Sequence, residues 1–407
     1  MVVGASSPAQ DAPDPHAWAD RQRPEHDYWN RTPRDPFTRF SEALEAGKHT
    51  LETTNGDIAY LKSLLAALEI PVSSQMLVFS TTSLQLRFIS PENPRALYFN
   101  EDTYIGFIPG GRIEVISMDP ELGAIFYIFD LPRNGARPEL DRSRRCMNCH
   151  SGSETRRVPG IVIKSVIPGP KGGSLNSFKR EVHGHHVAWE ERFGGYHVTG
   201  RHGITKHLGN LTGQLNAGNI DTFPNEPGTR YSWDNYATNT SDILAHLLHE
   251  HQAGFVNRVV EAGYRARSYL AEGGGKSLSA EHRDILDGVT DDLVGYLLFA
   301  DETPFPSSGI DGDATYLTEF AANRRPDAND RALKDFDLDR RIFKYRCSYM
   351  IYGESFQGLP PVYKQFVYRK LSDALTGQHP AGAHLARDER AAIRSILEST
   401  LADFPAS

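Results

Sequence analysis

The sequence predicts an α+β fold, mainly helical, with one small antiparallel sheet early in the chain and long irregular loops after it. Three observations point there. Five short runs rich in β-branched and aromatic residues lie between positions 75 and 131, separated by Pro and Gly turns. Apolar residues recur at helical spacing before these runs and again from residue 241 onward. Between 132 and 235 the chain is rich in Gly, Pro, His and Asn, with no sustained period.

Taken in order, residues 1–35 read as a flexible arm, with Pro8, Pro13, Pro15 and Pro24 among charges. Residues 36–407 read as one interlocked domain in three stretches. The first, 36–132, opens with Phe40, Leu44, Leu51, Leu61, Leu64, Leu65 and Leu68 at helical intervals, closed by Pro71. Its strands are expected at Gln75–Ser80, Ala96–Asn100, Tyr104–Ile108, Ile113–Met118 and Ala124–Leu131. The second stretch, 133–235, is loop. The third, 236–407, carries helices at Ser241–Ala271, Ala280–Phe299, Arg340–Tyr352, Pro361–Thr376 and Arg387–Leu401. Ser241-Asp242 is placed to cap the first of these, and Gly273-Gly274-Gly275 to end it.

Inside the loops stands Cys146-Met147-Asn148-Cys149-His150, a single C-x-x-C-H. Two thiols three positions apart can reach the two vinyl groups of one porphyrin, and the next residue can bind its iron through an imidazole. The motif therefore predicts one covalent haem c, with thioethers at Cys146 and Cys149 and His150 as proximal ligand. A zinc site would need a second close Cys/His pair, and a thioredoxin-like dithiol a flanking βαβ unit; neither is visible. A macrocycle also explains how so long an irregular stretch could pack: the loops would wrap it. Arg144 and Arg145, with Arg156, Arg157 and Lys164 nearby, are candidate partners for the propionates. Cys347, among Tyr345, Tyr349 and Met350, reads as a small core residue.

The far side of such a haem decides its chemistry, and several residues compete for it. At about 100° per residue, His251 shares the stripe of Leu244, Leu247, Leu248, Phe255 and Val259, whereas His246 and His249 fall on the flanks or the outer face. His251 is thus a candidate axial ligand or distal residue, a hydrogen-bonded core histidine being the alternative. Six of the sixteen histidines lie between 181 and 207. Of these, His202 and His207 are candidates, and His183, His185 and His186 form a cluster of open role. The run Arg192 to Gly203, with its paired glycines, reads as haem- or substrate-lining, and Arg192 or Arg201 could stabilise developing negative charge. Met147 lies inside the motif and cannot reach the far side, while Met76, Met118 and Met350 read as core.

Segments across residues 40–400 resemble a family of large mono-haem c-type cytochromes of environmental bacteria. They are Ile70–Gln75 with Leu77–Ser80, Asn93–Phe99, the C-x-x-C-H itself, Gly194–Gly200, Glu250-His251-Gln252 and Cys347–Tyr352. The resemblance implies a periplasmic haem c protein. A single C-x-x-C-H departs from the di-haem peroxidase pattern.

At 407 residues the chain has roughly four times the ~100 residues that one haem carrier needs. The expected function is therefore an oxidoreductase activating a small oxidant, peroxide or oxygen, with His251, His202 and Arg201 as catalytic candidates. The alternatives are electron transfer to a redox partner protein on a docking scaffold, or ligand binding without chemistry. A net charge of −8 without a basic block argues against a nucleic-acid surface. No apolar run reaches membrane-spanning length. Covalent haem attachment predicts a periplasmic or secreted location, although no signal peptide is visible at residues 1–12.

Overall fold

The computed structural model describes residues 14–132, 138, 140–176, 184–275 and 278–405. The five expected strands form, as β1 (Met76–Val78), β2 (Arg95–Phe99), β3 (Thr103–Phe107), β4 (Ile113–Asp119) and β5 (Gly123–Phe129). The short β6 (Asp141–Arg142) and β7 (Tyr196–His197) complete an antiparallel sheet of order β6-β5-β4-β3-β2-β1-β7. A separate hairpin, β8 (Leu211–Asn216) with β9 (Asn219–Pro224), projects from the loop region. The helices are α1 (Pro36–Glu45), α2 (Asp57–Ala67), α3 (Met147–His150), α4 (Ile243–Glu272), α5 (Ala280–Leu297), α6 (Ala314–Ala321), α7 (Glu354–Gln357), α8 (Pro361–Thr376) and α9 (Arg387–Thr400). The fold is α+β.

Strand alternation gives the sheet two different faces. On one, Phe37 of α1 packs against Tyr127 and Phe129, with ring centroids 4.9 and 6.1 Å away. Thr38 Oγ1 and Tyr127 Oη lie 2.7 Å apart, and the α1 N-cap Asp35 accepts from Phe37 N at 3.0 Å. The other face follows from the register. Leu97, Gly106, Glu114 and Ile128 stand directly opposite one another, and so do Phe99, Tyr104, Ile116 and Phe126. Here Leu97, Ile116 and Ile128 are only half-buried. An apolar sheet face left half-open is a surface shaped to be covered.

Three expectations are corrected. The helical segment before the sheet is two helices, because Asn55-Gly56 interrupts it and Gly56 takes φ +88°. Arg340–Tyr352 is not a helix: only a 3₁₀ turn forms at Tyr349–Tyr352, while Phe336 bridges to Phe343. Helix α6, capped by Asp313, had too short a pattern to read. The arm is also shorter than 1–35. From Trp18 the segment packs onto the fold, with Trp18, His26 and Tyr28 buried and Tyr28 Oη donating to Ala124 O at 2.7 Å; residues 1–13 lie outside the described ones.

His26 shows what that packing costs in acid. Its Nε2 lies 3.0 Å from Trp18 O and its ring stacks on Tyr264 of α4 at 4.1 Å. Burial lowers its pKa to about 4. Unfolded, the ring binds a proton near pH 6.5; folded, it does not until about pH 4. The unfolded state therefore holds the extra proton in that window, so stability falls as pH drops. The cost is absent above 6.5 and grows by about 1.4 kcal/mol per pH unit below it. Denaturant midpoints measured from pH 7 to 4.5 should fall less steeply for His26→Gln than for wild type; parallel curves would contradict this.

Candidate cofactor site

The motif folds as one helical turn. Cys149 N and His150 N both donate to Cys146 O, at 3.1 and 3.0 Å. Met147 is buried beneath the turn, which turns Cys146, Cys149 and His150 toward the half-open sheet face. Between turn and sheet lies a cavity of about 360 Å³, within the usual size of a small-molecule site. Its walls are Leu97, Ile116, Phe126 and Ile128 of the sheet and Ile161 of the loop, and Tyr104, Tyr196 and His249 also line it. Arg95, Arg145 and Lys164 also line it, Arg95 paired with Glu114 of the same wall and Lys164 with Glu154.

His150 is held in one orientation by its neighbours. Its ring packs on Phe126 at 4.8 Å. Its Nδ1 lies 2.9 Å from Gly160 O, and a carbonyl only accepts, so Nδ1 carries the proton and Nε2 keeps a lone pair. Burial lowers its pKa, which favours that neutral form. The backbone closes the same loop, Gly160 N donating to His150 O at 2.9 Å. Asn257 of α4 then fixes the loop: its Oδ1 accepts from Ile161 N and its Nδ2 donates to Ile161 O, both at 2.9 Å. A Cβ at Gly160 would come 2.2 Å from Asn257 Oδ1, so this close approach needs glycine. Metal-binding histidines are ordinarily oriented by such a bond from the ring nitrogen that faces away.

Asn257→Leu keeps the volume but strands the Ile161 N–H and C=O in a buried place. We expect a stability loss of about 2–4 kcal/mol by chemical denaturation. The variant should also shift the visible spectrum or reduction potential of any haem carried on His150, which a purely structural role would leave alone.

Burial raises the pKa of Cys146, keeping it a thiol, while Cys149 is exposed. Cys347 is fully buried with its thiol pKa pushed up, as a core cysteine should be. Of the expected propionate partners, Arg145 lines the cavity. Arg144 does not: its guanidinium stacks over Trp29 at 4.2 Å. Arg95, unnoticed in the sequence, also lines the cavity and pairs with Glu114 at 3.0 Å.

The expected distal residues lie elsewhere. His251 is not among the residues lining the cavity. It is wholly buried, with Nδ1 2.8 Å from His185 Nδ1 and Nε2 2.7 Å from Ser348 Oγ. Burial holds both rings well below the ordinary histidine range, so they form a neutral pair. His202 is half-buried beside His207, ring to ring at 5.2 Å, and bridges to Ile310. Arg201 is 72% exposed and forks onto Asp311 at 2.5 and 2.7 Å, a surface ion pair. Arg192 is buried. It donates to Val187 O and His185 O at 2.8 Å and lies 3.5 Å from Glu250, whose pKa burial raises to about 7. The glycines of that run approach protein backbone and side chain instead of a ligand: a Cβ would meet Val166 O at 2.4 Å from Gly194, and Ser80 at 2.6 Å from Gly195. Tyr196 alone of that run reaches the cavity.

The reason is the environment of α4. It is buried on nearly every side, so an apolar stripe does not tell which face meets a cofactor. His249 stands about 200° round from His251 and faces the sheet, with ring centroids 5.3 Å from Phe99 and 5.6 Å from Tyr104. A trace was present in the sequence: His246, His249 and Asn257 form a polar stripe along one face of a long helix.

Among the described residues no group of three or more His, Cys, Asp or Glu is placed to hold a metal ion alone. His185 and His186 stand apart from any such group, and His183 lies outside the described residues. No protein-family model matches this chain, and no curated protein or solved structure is similar enough to it to count as a match.

Proposed function

We propose that the chain is a c-type haem protein whose single cofactor occupies the cavity between α3 and the sheet. One observation carries this reading: both thiols of the motif and the imidazole of His150, its Nδ1 tied to Gly160 O, meet at one apolar cavity. Cys146 and Cys149 would hold the porphyrin. Each thiol adds across a vinyl double bond, exchanging S–H and C=C π bonds for S–C and C–H bonds, so no oxidant is consumed. His150 would bind the iron, and Arg145 would answer the propionate charge, with Arg95 and Lys164, already paired with Glu114 and Glu154, beside it. The resemblance of the motif-bearing segments to mono-haem c-type cytochromes belongs to this same proposal. Because the thioethers are made outside the cytoplasm, it carries a periplasmic or secreted location with it. Among the described residues no helix is long and apolar enough to cross a membrane.

The reaction we favour is oxidoreduction of a small oxidant. When bound, haem supplies an iron that can change oxidation state and hold a small ligand. The residues do the rest: the sheet and Ile161 make the cavity largely apolar, and Tyr196 and His249 line it as the groups that could move a proton, the Tyr104 hydroxyl being donated to Gln252 at 2.8 Å. Electron transfer to a partner protein is the second reading. It is favoured by the exposure of Cys149 and of Leu84 and Leu86, which are 45% and 57% exposed, with Leu84 at the cavity wall. Visible spectra of the ferric and dithionite-reduced protein, with and without carbon monoxide and cyanide, decide between them. Ligand binding with peroxide turnover supports the first reading. A low-spin form that binds neither ligand refutes it in favour of the second.

A further inference from the structure

The sheet register places two imidazoles over a single cross-strand row. Phe126, Ile116 and Tyr104 stand directly opposite one another on β5, β4 and β3. His150 packs on the first of them, at 4.8 Å, and His249 on the last, at 5.6 Å. The two ends of the row are two strand spacings apart, roughly 9.5 Å. Between them stands half-buried Ile116, and both histidines line the same cavity. They come from elements far apart in sequence, the motif turn and α4.

The facing of His249 is fixed from below. Gln252, one turn further along α4, accepts from Tyr104 Oη at 2.8 Å and donates to Tyr349 Oη at 2.9 Å. Asn257, two turns beyond His249, holds the loop that orients His150. The same helix thus positions both sides of the cavity. That coupling would be lost if α4 turned the His251 stripe toward the sheet.

We propose that His249 is the imidazole facing the second side of the cofactor, across the cavity from His150. This rests on the haem c reading above. His249 takes the role expected of His251 and His202, and it meets the position opposite His150 where an exogenous ligand would bind.

The test uses full-length protein matured with covalent haem. His249→Ala and His249→Gln are compared with His251→Gln and His202→Gln by ferric visible and electron paramagnetic resonance spectra and by cyanide titration. Both His249 variants should change the spin-state signature and shift cyanide affinity by about tenfold, the scale of one hydrogen bond to a ligand. The His251 and His202 variants should keep the wild-type signature. Circular dichroism and haem content confirm that each variant is folded and loaded, and the Gln variant guards against a folding defect in the Ala one. Spectra and affinity of loaded His249 variants that coincide with wild type would overturn the proposal. So would a change produced by His251→Gln instead. Wild-type protein that carries no porphyrin at all would sink the haem reading itself, which is a separate and distinguishable result.

Discussion

The Cys146→Ala, Cys149→Ala double variant, expressed with a haem-attachment system, is expected to lose covalent porphyrin entirely while keeping its fold. The loss is total because the thioethers have no other source: Cys347, the remaining cysteine, is wholly buried in the core with its thiol pKa pushed up. The fold should survive because neither thiol is fully buried: only Cys146 packs against the edge of the core. Cys149 is exposed and Cys146 half-buried, and the helical turn is held by bonds to the Cys146 carbonyl, which alanine retains. The stability of the unloaded protein should therefore move by about 0.5–1 kcal/mol at most. Single variants should each retain one thioether, seen as a shifted reduced α-band in the pyridine complex. Intact mass under denaturing conditions reads the outcome. Porphyrin that stays attached to the double variant would contradict the assignment.

The second large effect is expected at Gly106. It is the last residue but one of β3 and stands on the cavity face, between Leu97 and Glu114. A Cβ there would meet side-chain atoms, Glu114 Oε2 at 3.2 Å, Glu114 Cβ at 3.3 Å and Leu97 Cδ2 at 3.7 Å, and Gly106 itself lines the cavity. Gly106→Ile therefore fills the space a macrocycle would need while improving the strand, since glycine weakens strand interiors. The strand gain of about 0.5–1 kcal/mol is opposed by the tight contacts with Glu114, which Ser83, Gln85 and Arg95 hold in place, so the unloaded variant should stay within about 1 kcal/mol of wild type. Its haem content after co-expression should fall to background. Unchanged loading would place the cofactor outside this cavity. Loss of the fold, seen as lost sheet signal in circular dichroism, would show that Gly106 serves strand packing instead.

How much of this could be read from the residues depends on whether a local signal decides the outcome. The strands from β2 to β5 were legible because β-branched and aromatic runs are bounded by Pro91-Glu92-Asn93-Pro94, Pro109-Gly110-Gly111 and Asp119-Pro120, which leave the backbone little alternative. Asp242 caps α4 through Leu244 N at 3.0 Å, as the Ser-Asp pair suggested. The motif was visible because its residues are contiguous in sequence, whereas its folding as one helical turn was not legible. The opposite wall was not. It is set by which side of a fully buried helix meets a sheet more than a hundred residues earlier, and hydrophobic periodicity carries no such information when both sides are covered. His251 satisfied the apolar stripe and is accordingly a core histidine, paired with His185. His249 interrupts it and faces the cavity. Arg201 and His202 failed for a related reason: a Gly-rich run beside aromatic residues looks like a ligand cradle, but its glycines serve close backbone approach to Val166 and Ser80. Gly160 and Asn257 carried no motif, since their role is to hold one carbonyl in place for His150.

The most direct test of the central claim is the pyridine haemochrome spectrum of wild-type protein, matured with a haem-attachment system and stripped of non-covalent haem by acidified acetone. The account predicts a c-type spectrum at one porphyrin per chain. A blank spectrum from that same stripped protein, or haem that leaves with the solvent, would contradict it.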